Sequence, residues 1–225
     1  MITLHHLEQS RSQRILWLLE ELGVDYQLRR YERNPKTRLA PDELRQVHPL
    51  GSSPVLTDGD RTLAESGVIA EYLARTQGGE SWLRSTDDID YWDYLYWMQY
   101  AEASAMPPLL VRLIMATIRS APMPFFVRPV AKGIAEKVDT SFTEPQIDKH
   151  FSFIEAHLTG HEWFLGNTIS LADVMMSFPL EAAVVSGAAS GPDFDHISAW
   201  VHRVQARPAY QRAVEAGGDY DYLLK

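Results

Sequence analysis

The chain has 225 residues, 45% of them apolar, with 21 basic against 30 acidic side chains and no cysteine. A net charge of −9 argues against nucleic acid or an anionic membrane as the main partner, since both demand a basic footprint. Without cysteine there is no disulfide scaffold, cysteine nucleophile or cysteine metal site, so any thiol chemistry must use a thiol that arrives with a ligand. No apolar run approaches bilayer length, and ITLHHL lacks the basic-then-apolar layout of a secretory signal. A cytoplasmic location is the expectation.

In chain order, residues 2–7 read as a short strand. Residues 13–22 follow as a helix, with Ile15, Leu16, Leu18, Leu19 and Leu22 on an apolar face and Gly23 as its stop. Val24, Tyr26 and Leu28 then alternate with polar residues, which predicts a second strand. Strand, helix, strand within about 30 residues is a βαβ unit, so the two strands should be parallel. A polar loop over 32–41 leads to a short helix, DELRQV, that stops before Pro49. Two apolar runs around Asp58-Gly59 predict a hairpin, and SGVIAEYLAR predicts a helix.

From about residue 87 the strand patterns vanish. Asp87-Asp88 can cap a long aromatic helix from Ile89 toward Arg119, which Pro107-Pro108 should kink or interrupt. APMPFFVRP (121–129) reads as a break. Further helices are expected at 144–158, 170–186 and 194–206, with a short one after Pro208. Ser170 and Asp173 form a capping box, a structural role. The organisation is an α/β domain of thioredoxin-like order over 1–78, joined to an all-helical domain over 88–225.

Two serines, Ser10 and Ser12, stand at the mouth of the first helix. A serine there commonly accepts a hydrogen bond from an orphan backbone N–H. The same helix end also stabilises a thiolate or carboxylate. His5 and His6, adjacent on a strand, should point to opposite faces, and no H-E-x-x-H, G-x-S-x-G or phosphate loop is present. No metal is expected.

Four segments, in register over essentially the whole chain, resemble the cytosolic glutathione transferase superfamily. They are Ser10-Arg11-Ser12-Gln13-Arg14, the segment His48–Leu56 (HPLGSSPVL, similar to N-P-x-G-K-V-P-x-L), Glu65-Ser66-Gly67-Val68-Ile69 (similar to E-S-x-A-I) and Phe164–Asp173. The serine loop and the aromatic helix look most like bacterial and fungal serine-type members. The resemblance implies a cis bond before Pro54, which turns the backbone of Ser53 outward to pair with the cysteine portion of glutathione, as a strand pairs with a sheet edge. It implies that Ser66 binds the γ-glutamyl carboxylate at a helix N-terminus and that Glu65 meets the γ-glutamyl ammonium. The motif's lysine position holds uncharged Ser52. Arg38 is the nearest match for a cation on the glycine carboxylate, with Lys36 and Arg45 as substitutes.

Ser10 is four residues before Arg14, the spacing of the thiol-activating serine in serine-type members, which leaves Ser12 as the structural cap. The second substrate is expected against the long helix, at Tyr96, Tyr100 and Met106. The resemblance implies a homodimer that activates the thiol of glutathione for attack on small apolar electrophiles. The alternatives are a catalytically silent binding or regulatory protein of the same fold, or a glutathione-dependent peroxidase.

Overall fold

A computed structural model describes residues 1–224, so Lys225, at the end of the expected second domain, lies outside the described residues. The first 76 residues run β1 (Ile2–Leu7), α1 (Ser12–Leu22), β2 (Tyr26–Tyr31), α2 (Glu43–Val47), β3 (Val55–Asp58), β4 (Arg61–Ala64) and α3 (Ser66–Thr76). The four strands form one sheet in the order β2-β1-β3-β4, with β1 and β2 parallel and the other pairs antiparallel. This is the thioredoxin-like arrangement expected. Gly23 ends α1 at φ 62°, a left-handed conformation that glycine adopts without a Cβ penalty.

The period-two alternation of β1 sorts its side chains. Ile2 and Leu4 enter the main core with Ile15, Leu16 and Leu19 of α1. Leu7 lies on the other face, in a small cluster with Tyr31 and Leu44. His5 and His6 are both buried on opposite faces: His5 meets the Tyr31 hydroxyl, and His6 lies toward α1 beside Ser12.

The remainder is helical: α4 (Tyr91–Tyr100), α5 (Met106–Ser120), α6 (Arg128–Val138), α7 (Glu144–Leu158), α8 (Leu171–Val185), α9 (Asp195–Gln205) and α10 (Pro208–Gly217). Ser170 caps α8 through the expected capping box with Asp173. The prolines do not break the long helix. Pro107 and Pro108 fall in the first turn of α5, where their missing N–H groups are tolerated, and a π-helical turn over Ala101–Ala105 joins α4 to α5. Residues 130–143, for which the pattern above predicts no element, are helical through α6 and a second π turn, Asp139–Thr143. α6 carries few core residues: among its side chains only Ala135 is buried, and Val130 and Ile134 are exposed.

By length and composition alone, Tyr91–Ser120 could cross a membrane. Here it is tied to α1 instead: Glu102 in the π turn receives Arg14 and Arg11.

Candidate functional site

The site begins at one end of the sheet. The β1–β3 register pairs His5 with Val55, so the next residues toward that end are Leu7 and Ser53. Ser53 Oγ donates to the His5 carbonyl at 2.8 Å and accepts the Leu7 N–H at 3.1 Å. The Ser53–Pro54 bond is cis, as expected. Ser53's own N–H and C=O have no partner among the described residues, which leaves them available to an extended peptide.

The β3–β4 register pairs Val55 with Ala64, which delivers Glu65 and Ser66 alongside Pro54 and Ser53. Glu65 precedes α3 at φ 69° and ψ 121°, a backbone conformation costly for a residue with a side chain. Ser66 is the first residue of α3 and is buried. It is therefore not the N-cap that a lone serine suggests; Glu65 holds that position, without a side-chain cap bond. The N–H groups of Ser66, Gly67 and Val68 have no partner among the described residues, so a concentrated set of donors faces the sheet end.

Ser10 lies just past β1. Its Oγ is 2.7 Å from the Leu7 carbonyl and 2.8 Å from Ser12 Oγ, and it accepts the Ser12 N–H at 3.2 Å. Ser10 opens on a cleft of about 640 Å³ that Ser53 also lines. Ser12 differs from its expectation in two ways. The N-cap of α1 is Arg11, without a side-chain cap bond, and Ser12 is fully buried against His6 and lines no part of the cleft. Its hydroxyl cannot face a ligand there.

From Ser10 the cleft runs along α5. Met106, Leu109, Leu110, Leu113 and Ala116 form its apolar stripe, at the spacing of one helix face. Phe178 of α8 and Tyr222 of the C-terminal tail line it too. Its far end is polar: Arg112 donates to the Ser186 carbonyl at 3.2 Å, and Arg119 pairs with Asp139, whose Oδ1 is buried without a partner.

Met106 is thus in the cleft, and Tyr96 and Tyr100 are not. They line a separate shallow groove with Trp92 and Gln99. The reason is helical geometry. Six residues at about 100° each put Met106 about 120° from Tyr100 around the axis of a straight helix, so the two side chains point to different neighbours. The Tyr100 hydroxyl is engaged by His150 Nδ1 at 2.6 Å.

Arg38 sits exposed on the 32–41 loop at φ 61° and does not line the cleft. The arginine of that loop that does is Arg33. Its guanidinium donates to the carbonyls of Glu8, Gln9 and Arg38 at 3.2, 3.1 and 3.0 Å, which staples the loop to the segment leading into Ser10. The sequence offered no means to prefer Arg33 over its basic neighbours. Tyr222 was equally unreadable: it reaches the cleft because Gln9 binds the tail at the Asp219 carbonyl and the Asp221 N–H.

A thioredoxin-like sheet with a free backbone edge at a cis-proline, a hydroxyl at a helix mouth and an apolar cleft beside it thus meet at one place in a fold that continues into helices. The glutathione S-transferase N-terminal domain family matches residues 1–75, and the glutathione S-transferase C-terminal domain family matches residues 114–208. The chain is 33% identical over 223 residues to glutathione S-transferase 1 of Saccharomyces cerevisiae, covering 96% of this chain and 94% of that one. It is 33% identical over 225 residues to glutathione S-transferase 3 of Schizosaccharomyces pombe, covering 100% and 91%. A solved glutathione S-transferase from Actinobacillus pleuropneumoniae superposes with a TM-score of 0.79 at 33% identity, covering 99% and 95%. The chain belongs to the glutathione S-transferase family and is an enzyme of that family.

Proposed function

We propose that this transferase is a serine-type member in which Ser10 activates the thiol of glutathione for attack on small apolar electrophiles. A free thiol has a pKa of about 8.5 and is mostly protonated at neutral pH, while the thiolate is the nucleophile. A hydroxyl that donates to sulfur at the positive end of α1 favours the thiolate. One observation carries the reading. Ser10 and the free backbone of Ser53 share one end of the sheet and open together on the apolar cleft.

In this reading residues 1–78 hold glutathione. Ser53, before cis-Pro54, pairs with its cysteine portion. Ser66 and the α3 N-terminus take the γ-glutamyl carboxylate, and Glu65 takes the ammonium. Arg38, exposed on its loop, supplies the cation for the glycine carboxylate. Residues 88–225 hold the electrophile, with Met106 and the α5 stripe against it, and catalysis combines thiol activation with proximity. By family resemblance the enzyme works as a cytoplasmic homodimer.

The test is ultraviolet thiolate absorbance of bound glutathione across pH. Wild type should show a thiol pKa below that of free glutathione, and Ser10→Ala should raise it and reduce transfer to simple electrophiles. A Ser10→Ala protein with unchanged thiol pKa and full transfer activity would remove Ser10 from the mechanism.

A further inference from the structure

We infer that His6 is a positioning residue for Ser10: through Ser12, it sets whether the Ser10 hydroxyl proton points into the cleft or back into the protein. The inference rests on the reading of Ser10 as the donor to the thiol.

The geometry is a chain of three side chains running inward from the cleft. Ser10 Oγ is 2.8 Å from Ser12 Oγ, and Ser12 Oγ is 2.9 Å from His6 Nδ1. Both hydroxyls also reach the Leu7 carbonyl, Ser10 at 2.7 Å and Ser12 at 3.2 Å. All three residues are buried, with Ser12 at 0% exposure, so the protons of this chain must be shared among its own acceptors.

His6 carries one ring proton. Burial, with the charge of Arg30 adding to it, pushes its pKa down to about 4. Two proton arrangements then follow. If the ring proton is on Nε2, Nδ1 is an acceptor and Ser12 donates to it. Ser10 is then the only side chain left to donate to the Leu7 carbonyl, and its proton points inward. If the ring proton is on Nδ1, His6 donates to Ser12 Oγ, and Ser12 is free to donate to the Leu7 carbonyl. Ser10 still accepts the Ser12 N–H, and its own proton is released toward the cleft.

The second arrangement is the one that frees the Ser10 proton for a bound thiol. Nδ1 faces Ser12 Oγ, whereas Nε2 makes no hydrogen bond with the described residues. Nε2 lies toward the end of α10, where a Cβ on Gly217 would be 3.3 Å from it and 3.0 Å from Gln13 Oε1. On this reading of Ser10 the ring proton is on Nδ1, where it meets Ser12 Oγ at 2.9 Å.

The experiment follows bound glutathione by thiolate absorbance across pH in wild type, Ser10→Ala, Ser12→Ala, His6→Leu and His6→Asn. Neither Ser12 nor His6 reaches the cleft, yet Ser12→Ala and His6→Leu should each raise the thiol midpoint by at least about half a unit, a threefold loss of thiolate well below the midpoint. Binding of S-methylglutathione, which has no ionisable thiol, should be unchanged. His6→Asn, whose amide can present an N–H near the Nδ1 position, should restore most of the wild-type midpoint. A raised midpoint in Ser10→Ala alone would overturn the role of His6 and leave the Ser10 reading intact. Wild-type midpoints in all four variants would overturn both. Nitrogen NMR of the His6 ring in the wild-type protein decides the matter should a variant fail to fold. A proton on Nδ1 supports the inference, and a proton on Nε2 overturns it.

Discussion

The guanidinium of Arg14, in α1, is fully buried and is bound by the carboxylate of Glu102, in the π turn between α4 and α5. Its other terminal nitrogen donates to the Met175 carbonyl of α8 at 2.6 Å. One side chain thus joins the thioredoxin-like part to two helices of the helical part. Removing Glu102 would leave a buried cation without its counter-charge. A fully buried pair broken this way costs roughly 3–5 kcal/mol. The Glu102 side chain is 32% exposed, which admits solvent screening. Glu102→Gln should therefore cost less, about 2 kcal/mol, in urea unfolding. Arg14→Met, which removes the charge and keeps an apolar stem, should cost less than Glu102→Gln.

The legible parts of this molecule were those with a local cause. The strand at 2–7, the stop at Gly23, the Asp58-Gly59 hairpin and the Ser170–Asp173 capping box all follow from neighbours in sequence, and all are present. What the sequence does not display depends on helix rotation or distant contacts. Tyr96 and Tyr100 sit on the wrong side of α4 for the cleft, and the π turn that carries the chain past them has no sequence signature. Ser12 looks like a cap in the sequence because its partner, His6, comes from a strand whose packing only the fold reveals. Arg33 and Tyr222 enter the cleft through backbone carbonyls and a tail contact, neither of which leaves a pattern.

The α5 stripe predicts a separation of the two substrates. Leu113 lines the cleft and is 61% exposed, so a larger side chain there costs little stability. Leu113→Trp should fill part of the electrophile space and lower kcat/KM for a bulky apolar electrophile by about tenfold, some 1.4 kcal/mol. Glutathione affinity, measured by calorimetry, should not change. A matching loss of glutathione affinity would mean that the stripe does not belong to the second substrate.

Trp92 and Tyr96 leave a large apolar area on α4 open, at 72% and 46% exposure. If the enzyme is a homodimer, this groove is a suitable place for the second copy, since aromatic anchors dominate such interfaces. Wild type should sediment as a dimer. The double change Trp92→Asp and Tyr96→Asp should shift it toward monomer without unfolding it, as followed by circular dichroism. A dimer unaffected by the double change would place the interface elsewhere.

Ser52 stands where the resembling motif carries lysine, and it is exposed. In the proposed reading a lysine there would add a cation near the bound peptide. An exposed charge–charge contact contributes about 0.5–1 kcal/mol. Ser52→Lys should therefore tighten glutathione by roughly two- to fivefold, an effect that shrinks as salt is raised.

Glu181 of α8 is buried and ties down the C-terminal tail. It accepts from Tyr220 at 2.6 Å, from Gln205 at 3.3 Å, and from Tyr210. Burial pushes its carboxyl up to about 7 from the ordinary 4.5, against the pull of those hydrogen bonds. The sign follows from linkage. Below pH 4.5 both folded and unfolded chains hold the proton, and this group's contribution to stability is fully present. As pH rises toward 7 the unfolded chain releases the proton first, and the contribution falls until the folded group also ionises. At about 1.4 kcal/mol per unit the full decline is roughly 2–4 kcal/mol. Glu181→Gln cannot ionise and should lose this slope. Its stability relative to wild type should improve steadily between pH 5 and 7 in thermal or urea unfolding and level off above that. A constant difference across the range would show that Glu181 is already ionised in the folded protein at pH 5.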